Sequence, residues 1–296
     1  MSDMQPTRRD VLKTAMGTGL ASLLFGGRVW AAGKHPGHGP VKPPAQSAYR
    51  EQVLSLKPAG YWRLDEKKGP KADDASGHGR DGEYKGSPKF SEDGALHGDP
   101  DHAVGLNGES YIEVPSSADF SIGADGLTVE AWVRPDRLNF PCAPHESYIH
   151  WLGKGEAGHY EWGFRFYKKD SNRPNRISAY AWNPEGSKGS GAYFEEAVEP
   201  GQWIHVVAVF QPPGDDAGVL IYRDGELKKG PPDAPTLYRS YDVTPTAGPA
   251  PLRLGTRDLD SFLRGGLDEI AIYPRCLTAE EIRKNYRIAT GAGAKP

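Results

Sequence analysis

Two acidic segments carry residue types that could bind a metal ion. Asp268 alternates with Ile270 and Ile272 in a strand-like run, so the pattern predicts that its carboxylate points inward with them. An inward carboxylate is costly unless a cation, a metal or hydrogen-bond donors compensate its charge. The loop 73–79, DDASGHG, is rich in the oxygen donors that calcium prefers. Asp268 could equally pair with an arginine or accept backbone N–H bonds, and Asp74 in that loop could merely shape a turn.

Aromatic residues in three successive strand-like segments could bind sugars, because exposed rings can stack on the apolar faces of a sugar. The candidates are Trp151 in the first segment, Trp162 in the second, and Tyr180 with Trp182, which share one face of the third. These rings could instead belong to the hydrophobic core. Exposure is expected most for Trp182, which stands at a strand end before an Asn-Pro pair.

The residue patterns of glycan-cleaving centres do not occur at the required spacing. A retaining glucanase places carboxylates at alternate positions of one strand, and the sequence contains no Glu-x-Asp-x-x-Glu run. Asp268 and Glu269 are adjacent, so an extended strand would point them to opposite faces. Gln202 and His205 are three positions apart and would also lie on opposite faces. We therefore expect no catalytic residues.

Short strand-like segments must position these candidates. Runs of β-branched and aromatic residues recur along the chain, and Gly, Pro and Asp separate nearly all of them, which predicts an all-β sandwich. Asp224 and Gly225 stand between two runs and predict a two-residue hairpin. The segment 203–210 is apolar on both faces, so it should be a central strand covered on both sides. One clear helix is predicted from a capping box at Thr278 to about Tyr286.

Charge and cysteine content limit the partner classes. The formal net charge is -3 and no basic stripe stands out, which argues against nucleic acid and anionic membrane surfaces. Cys142 and Cys276 cannot form a Cys-only zinc site; they could be two free thiols or could form a disulfide after export. No repeat or second core is visible, so 48–290 is expected to be one domain, followed by a tail at 291–296.

Residues 1–32 resemble a twin-arginine signal peptide. Arg8 and Arg9 lie in a motif similar to that signal, a weakly apolar run follows, and Ala31 with Ala32 offers a cleavage site. The apolar run is too short for a stable span, so no membrane span is expected in the mature protein. The segment 33–47, rich in proline and glycine, is expected to be a linker. We expect a periplasmic or extracellular location.

An ordered set of segments from about residue 49 to residue 286 carries a resemblance to a known family. The segments are AYREQVLSLKPAGYWRLDE, DDASGHGRDGEYKG, AVGLNGESYIEVP, LTVEAWVRP, PGQWIHVVAVF, IYRDGEL, PLRLGTRD and GGLDEIAIYPRCLTAEEIRKNY. Together they resemble bacterial laminin G-like domains of the concanavalin A-like lectin/glucanase superfamily. The resemblance implies a jelly-roll β-sandwich of two antiparallel sheets, with the short helix near the C-terminus outside it.

The resemblance also implies functions. Such domains commonly bind glycans or proteins, and some carry structural calcium. By resemblance, Asp74 and Asp268 would help to hold one Ca²⁺ at the rim of the sandwich. The favoured function is a non-catalytic, lectin-like module that binds extracellular or cell-surface carbohydrate. It would use either the open sheet face, with the four aromatic residues named above, or the loops at the rim. The alternatives are a protein-interaction or adhesion domain of an envelope assembly without sugar affinity and, less favoured, a glycan-degrading enzyme.

Overall fold

The computed structural model of the protein describes most of the chain that follows the predicted linker. The predicted signal peptide (1–32), residues 33–45 of the linker, and Cys142 lie outside the described part, as does most of the predicted tail. The described residues are 46–140, 147–171, 173–194, 196–212, 214, 218–228, 243 and 246–292.

The strands form two antiparallel sheets, which confirms the predicted fold class. The first sheet contains, in spatial order, β14 (Glu226–Lys228), β13 (Val219–Arg223), β12 (Ile204–Phe210), β7 (Leu127–Pro135), β16 (Arg264–Tyr273), β5 (His102–Asn107) and β4 (Lys89–Asp93), and β1 (Gly60–Trp62) also pairs with β16. The second contains β11 (Gly189–Tyr193), β10 (Ile177–Trp182), β9 (Trp162–Tyr167), β8 (Tyr148–Lys154), β15 (Leu252–Leu254), β6 (Tyr111–Val114), β3 (Gly82–Lys85) and β2 (Lys71–Ala72).

Two α-helices, α1 (Gln46–Ser55) and α2 (Ala279–Thr290), and a 3₁₀ turn at Ala118–Phe120 complete the elements of the described residues. Neither α-helix is long and apolar enough to cross a membrane. Val53 of α1 and Ile282 of α2 pack on the outer face of the first sheet. Within the part of the chain that the structure describes, the helices therefore cover one sheet and leave the outer face of the other without a helix.

Two hydrophobic layers follow from the alternation of side chains along the first sheet. In β12, Val206 and Ala208 face the core between the sheets, whereas Val207 and Val209 face the layer beneath the helices. The prediction that this strand is central and covered on both sides is confirmed, since it lies between β13 and β7.

The predicted turn and helix cap are also present. Asp224 and Gly225 both adopt positive φ, 54° and 77°, and join β13 to β14 as a tight hairpin. Thr278 caps α2 through the expected capping box. The helix extends past Tyr286 to Thr290, where Gly291 ends it in the left-handed conformation. The extension continues the stripe of buried residues that packs on the sheet.

Register shifts at β-bulges change which side chains share a face, and two of them lie beside candidate site residues. One lies between His150 and Leu152 in β8 and the other between Asp268 and Ala271 in β16, where Glu269 has a φ of 51°. Asp268 pairs with Trp132, so it lies on the helix-covered face and not on the inner face of Ile270. The predicted parity of Asp268 is therefore wrong, because the extra residue reverses the alternation.

Candidate functional site

A pocket of about 270 Å³ opens on the outer face of the second sheet. Its volume lies at the small end of the range for ligand sites, about 300–1,000 Å³, which suits a single small group such as one sugar unit. Strands β8, β9 and β10 form its floor. It is lined by Tyr148, His150, Tyr160, Arg165, Trp182, Glu185, Gly186, Arg257, Asp258 and Asp260.

The alternation of inward and outward side chains along β9 places the first of two arginines in this pocket. Phe164 and Phe166 point into the core, so Arg165 between them must point outward. In the sheet Arg165 stands between His150 of β8 and Ser178 of β10. A charged residue inside an apolar strand thus marks the open face.

The guanidinium of Arg165 lies over aromatic rings of the pocket. Its central carbon is 4.0 Å from the ring centre of Tyr148, 4.7 Å from that of Tyr180 and 4.9 Å from that of Trp182. Its Nε donates to Nε2 of His150 over 3.3 Å. Its two terminal nitrogens donate to no other described residue, and they are not buried atoms. The outer edge of this guanidinium is therefore fixed in direction and open to solvent.

A second arginine reaches the pocket from the connection between β15 and β16. The stem of Arg257 lies across two glycines that pair in neighbouring strands, Gly153 and Gly163. A Cβ atom at these positions would stand 2.9 Å and 3.1 Å from the Arg257 stem, so a side chain on either strand would displace it. The guanidinium lies 4.6 Å from the ring centres of both Tyr160 and Trp182.

His150 is a neutral, fully engaged histidine. Its Nδ1 lies 3.2 Å from Oδ2 of Asp258, which also accepts from Arg257 at 2.7 Å. Burial and the charge of Arg257 lower the pKa of His150 to about 3. Burial would raise the pKa of Asp258, but the hydrogen bonds from His150 and Arg257 hold it well below its usual value. With Nδ1 donating and Nε2 accepting from Arg165, no ring nitrogen is free to act as a base.

The four predicted sugar-binding aromatics divide between the core and the pocket. Trp151 and Trp162 have no exposed surface and belong to the core between the sheets, so the structure does not support them as binding residues. Tyr180 and Trp182 lie on the open face with their rings stacked 5.5 Å apart. They retain 4% and 5% exposure, because the two arginines cover much of their faces.

Sequence reasoning missed both arginines. The position of Arg165 between two core phenylalanines was a usable signal, since it marks the outward face of β9. Arg257 gave no comparable signal, because it comes from an irregular segment whose course depends on packing. His150 also follows from alternation, as its neighbours Ile149 and Trp151 are core residues.

An acidic cluster occupies a second location, on the helix-covered side of the first sheet. Carboxylate oxygens of Asp101, Asp268 and Glu269 lie within 4.8 Å of one another, and all three residues are buried. The expectation that Asp268 and Glu269 point to opposite faces is wrong, because the bulge at Glu269 turns both to one side. Arg63 contacts Asp101 and, at 3.0 Å, Glu269.

The cluster has more carboxyl groups than cationic groups to pair with them, and burial favours their protonated forms. Three carboxylates share the guanidinium of Arg63, and burial raises the pKa of Asp101 to about 9 and that of Glu269 to about 7. Oδ2 of Asp268 accepts from the backbone of Ala95 at 2.7 Å, but its buried Oδ1 has no hydrogen-bond partner. An unpaired buried carboxylate oxygen among other carboxylates fits a divalent cation that takes oxygen ligands.

Asp74 does not belong to this cluster. Its carboxylate accepts backbone N–H bonds from Tyr61 at 3.1 Å and from Ser76 and Arg80 at 2.9 Å. It organises the loop that follows β2, which is the turn-shaping role considered for it from sequence. The three-carboxylate group contains Asp268 without Asp74.

Glu130 forms a further buried network beneath the helices. It is completely buried and accepts hydrogen bonds from Tyr49 of α1 at 3.1 Å, Tyr273 of β16 at 2.8 Å and Asn285 of α2 at 2.9 Å. Nε2 of His205 lies 2.7 Å away. Burial alone would raise the pKa of Glu130, but these hydrogen bonds lower it. The network joins both helices to the sheet.

Two antiparallel sheets with a pocket on the open outer face define a lectin-like β-sandwich. The family model for the concanavalin A-like lectin/glucanases superfamily matches residues 106–283, which is more than half of the chain. The chain therefore belongs to this superfamily. No sequence among the curated proteins matches it.

Solved structures share the fold at low sequence identity. Domain 4 of an extracellular arabinanase from Geobacillus stearothermophilus, in complex with arabinotriose, is 20% identical with a TM-score of 0.54, over 78% of this chain and 98% of that one. The receptor-binding domain of botulinum neurotoxin mosaic serotype C/D is 13% identical with a TM-score of 0.55, over 79% and 51%. Trypanosoma rangeli sialidase, in complex with sialic acid, is 15% identical with a TM-score of 0.53, over 83% and 37%. These likenesses establish the fold alone.

Proposed function

We propose that the protein is a non-catalytic carbohydrate-binding module whose ligand occupies the pocket on β8, β9 and β10. The observation that carries the proposal is the convergence of Trp182, Arg165 and Arg257 on one small open pocket. Rings and guanidinium groups held in fixed positions can contact a sugar ring and donate hydrogen bonds to its oxygens. Two fold neighbours that form complexes with sugars, one with arabinotriose and one with sialic acid, support the same proposal.

The arrangement favours binding over catalysis. A general base must be within reach of the substrate and able to accept its proton. Both ring nitrogens of His150 are already engaged, and the carboxylate of Asp258 accepts from His150 and Arg257. The remaining pocket carboxylates, Glu185 and Asp260, are exposed at the rim, where water screens them.

A glycan array followed by calorimetric titration tests this proposal. The purified domain should bind at least one oligosaccharide, and Trp182→Ala should weaken that binding by about tenfold, which is about 1.4 kcal/mol. Trp203→Ala is the matched control, because Trp203 lies on the first sheet beneath Arg134 and outside the pocket. Silence across the array, or equal affinity of the Trp182 variant and the wild type, would refute the proposal and favour a protein-interaction domain.

We also propose that Asp101, Asp268 and Glu269 help to hold one Ca²⁺, which replaces the predicted pair of Asp74 and Asp268. The support is the unpaired Oδ1 of Asp268 and the excess of carboxylate over Arg63. A bound cation would supply the missing positive charge and tie the segment around Ala95 to β16. Its role is stabilisation of the sandwich, since the cluster lies on the other sheet from the pocket.

A further inference from the structure

We infer that the pocket selects a sugar bearing an anionic group, a carboxylate or a sulfate, and that Arg165 binds that group through its two terminal nitrogens. The inference rests on the proposed function and names the class of ligand. Planar guanidinium groups bind paired anionic oxygens through two parallel N–H···O bonds. In this pocket the required edge of Arg165 is the part that meets solvent.

Arg165 is held in place before any ligand arrives. Its flat face lies against Tyr148, Tyr180 and Trp182, and its Nε is fixed by His150. These contacts use the ring-facing surface and the inner nitrogen, and they leave the terminal nitrogens available. A preorganised guanidinium loses little conformational entropy on binding, so the anion gains more affinity than it would from a mobile surface arginine.

The low exposure of the aromatic rings in the pocket also favours a sugar that bears an anionic group. A pocket that recognises neutral sugars by stacking needs open ring faces, but Trp182 and Tyr180 have 5% and 4% exposure. The surface that the ligand meets is therefore largely guanidinium. The pocket can still contact an apolar sugar face at its edge, where the rings emerge.

The carboxylates of the pocket do not neutralise Arg165. Asp258 takes hydrogen bonds from Arg257 and His150, so its charge is already compensated. Glu185 and Asp260 are exposed at the rim and form no ion pair with Arg165 among the described residues. Burial and the charges of Arg257 and Arg165 lower the pKa of His150 although Asp258 raises it, so the imidazole adds no charge of its own to the pocket.

Calorimetric titration with paired oligosaccharides tests the inference. Tetrasaccharides of galacturonate, guluronate and mannuronate are each compared with their neutral methyl esters, and sulfated galactan tetrasaccharides with their desulfated forms. At least one acidic form should bind about tenfold more tightly than its neutral partner, or about 1.4 kcal/mol. The uronate and sulfate pairs decide which anionic group is preferred.

Arg165→Lys keeps the positive charge but removes the paired donors, so it should reduce the preference for the acidic form by several-fold. Arg134→Lys is the matched control, because Arg134 lies 5.1 Å over the Trp203 ring on the other sheet. Glu185→Gln should strengthen binding of the acidic form, since it removes a negative charge from the rim.

Salt titration of the wild type gives a readout that does not depend on variant folding. Added NaCl should weaken binding of the acidic ligand and leave binding of the neutral ligand unchanged.

Equal binding of acidic and neutral forms would overturn this inference while leaving the proposed function intact. A preference for the acidic form that Arg165→Lys leaves undiminished would overturn the assignment of Arg165. Absence of binding to every sugar in the glycan array and in these pairs would defeat the proposed function itself and the inference with it.

Discussion

The outer faces of the two sheets differ in whether the protein itself supplies hydrogen-bond partners for their charged side chains. On the first sheet, helices α1 and α2 cover the face, and Glu130 beneath them is surrounded by hydrogen-bond donors. On the second sheet no helix of the described residues covers β8, β9 and β10, and two nitrogens of Arg165 at the pocket have no hydrogen-bond partner among those residues. A polar side chain sealed from water must find its partners within the protein, whereas one at an open face can leave them to a ligand.

The covered face should serve the stability of the domain, and the open face should serve ligand recognition. The covered face joins α1, α2 and the sheet through contacts that form only when all three are in place, so its polar groups should contribute mainly to folding. The open face combines rigid strands with an incompletely satisfied charge, so its groups should contribute mainly to binding. This assignment would be contradicted by a covered-face variant that changes only binding, or by an open-face variant that changes only folding stability.

The largest effect is expected at the covered face. Glu130→Ala leaves the hydroxyl groups of Tyr49 and Tyr273 and the amide of Asn285 without their shared acceptor. Loss of such a buried charged partner costs about 3–5 kcal/mol, so the melting temperature should fall by about 10 °C for a domain of this size. Thermal unfolding followed by circular dichroism measures this change.

Glu226→Ala is the control for that variant, because Glu226 is an exposed carboxylate at the edge of the same sheet. It should change the melting temperature by no more than about 1 °C. A folded Glu130→Ala protein that has normal stability but has lost sugar binding would contradict the assignment of this face to stability.

The next effect is a pH dependence that comes from the open face. His150 has a folded-state pKa of about 3, below its ordinary value of about 6.5, so between these values only the unfolded chain binds the proton. The free energy of unfolding should therefore fall as the pH decreases from about 6.5 to 4, by up to about 3 kcal/mol. Asp258, with its lowered pKa, adds a loss only below about pH 4.

Urea unfolding at several pH values isolates this contribution. His150→Gln can keep contacts to Arg165 and Asp258 without titrating, so its stability should change less between pH 6.5 and pH 4 than that of the wild type. His78→Gln serves as the control, because His78 is exposed in the loop after β2. If the free energy of unfolding fell equally with pH in the wild type and in His150→Gln, His150 would be protonated in the folded state.

The smallest of these effects concerns the proposed calcium ion. Calcium that binds only the folded state at 100 times its dissociation constant should stabilise the domain by about 2.7 kcal/mol. The expected result is a higher melting temperature in calcium than in chelator. Asp268→Asn should remove the difference and Asp74→Asn should preserve it. Loss of the difference in Asp74→Asn alone would restore the pair predicted from sequence, and no difference in the wild type would eliminate the ion.

Much of the fold was predictable because local patterns agree with it. The hairpin at Asp224–Gly225 and the capping box at Thr278 depend on neighbours in sequence, and both are confirmed. The site was less predictable. Tyr180 and Trp182 lie where the alternation of β10 places them, but Trp151 and Trp162 face the core, because the strand pattern alone does not say which face is inner.

The sequence by itself determined that alternating strands would close over an apolar core and that a capped helix would end the domain. Only the tertiary structure decided where the chemistry lies. The bulge at Glu269 turned Asp268 toward Asp101, and paired glycines in β8 and β9 made room for Arg257 beside Trp182. The physical reason is the sequence separation of the interacting residues. Hydrogen-bonded turns and caps involve adjacent residues, whereas a pocket depends on side chains that meet only after distant strands have paired.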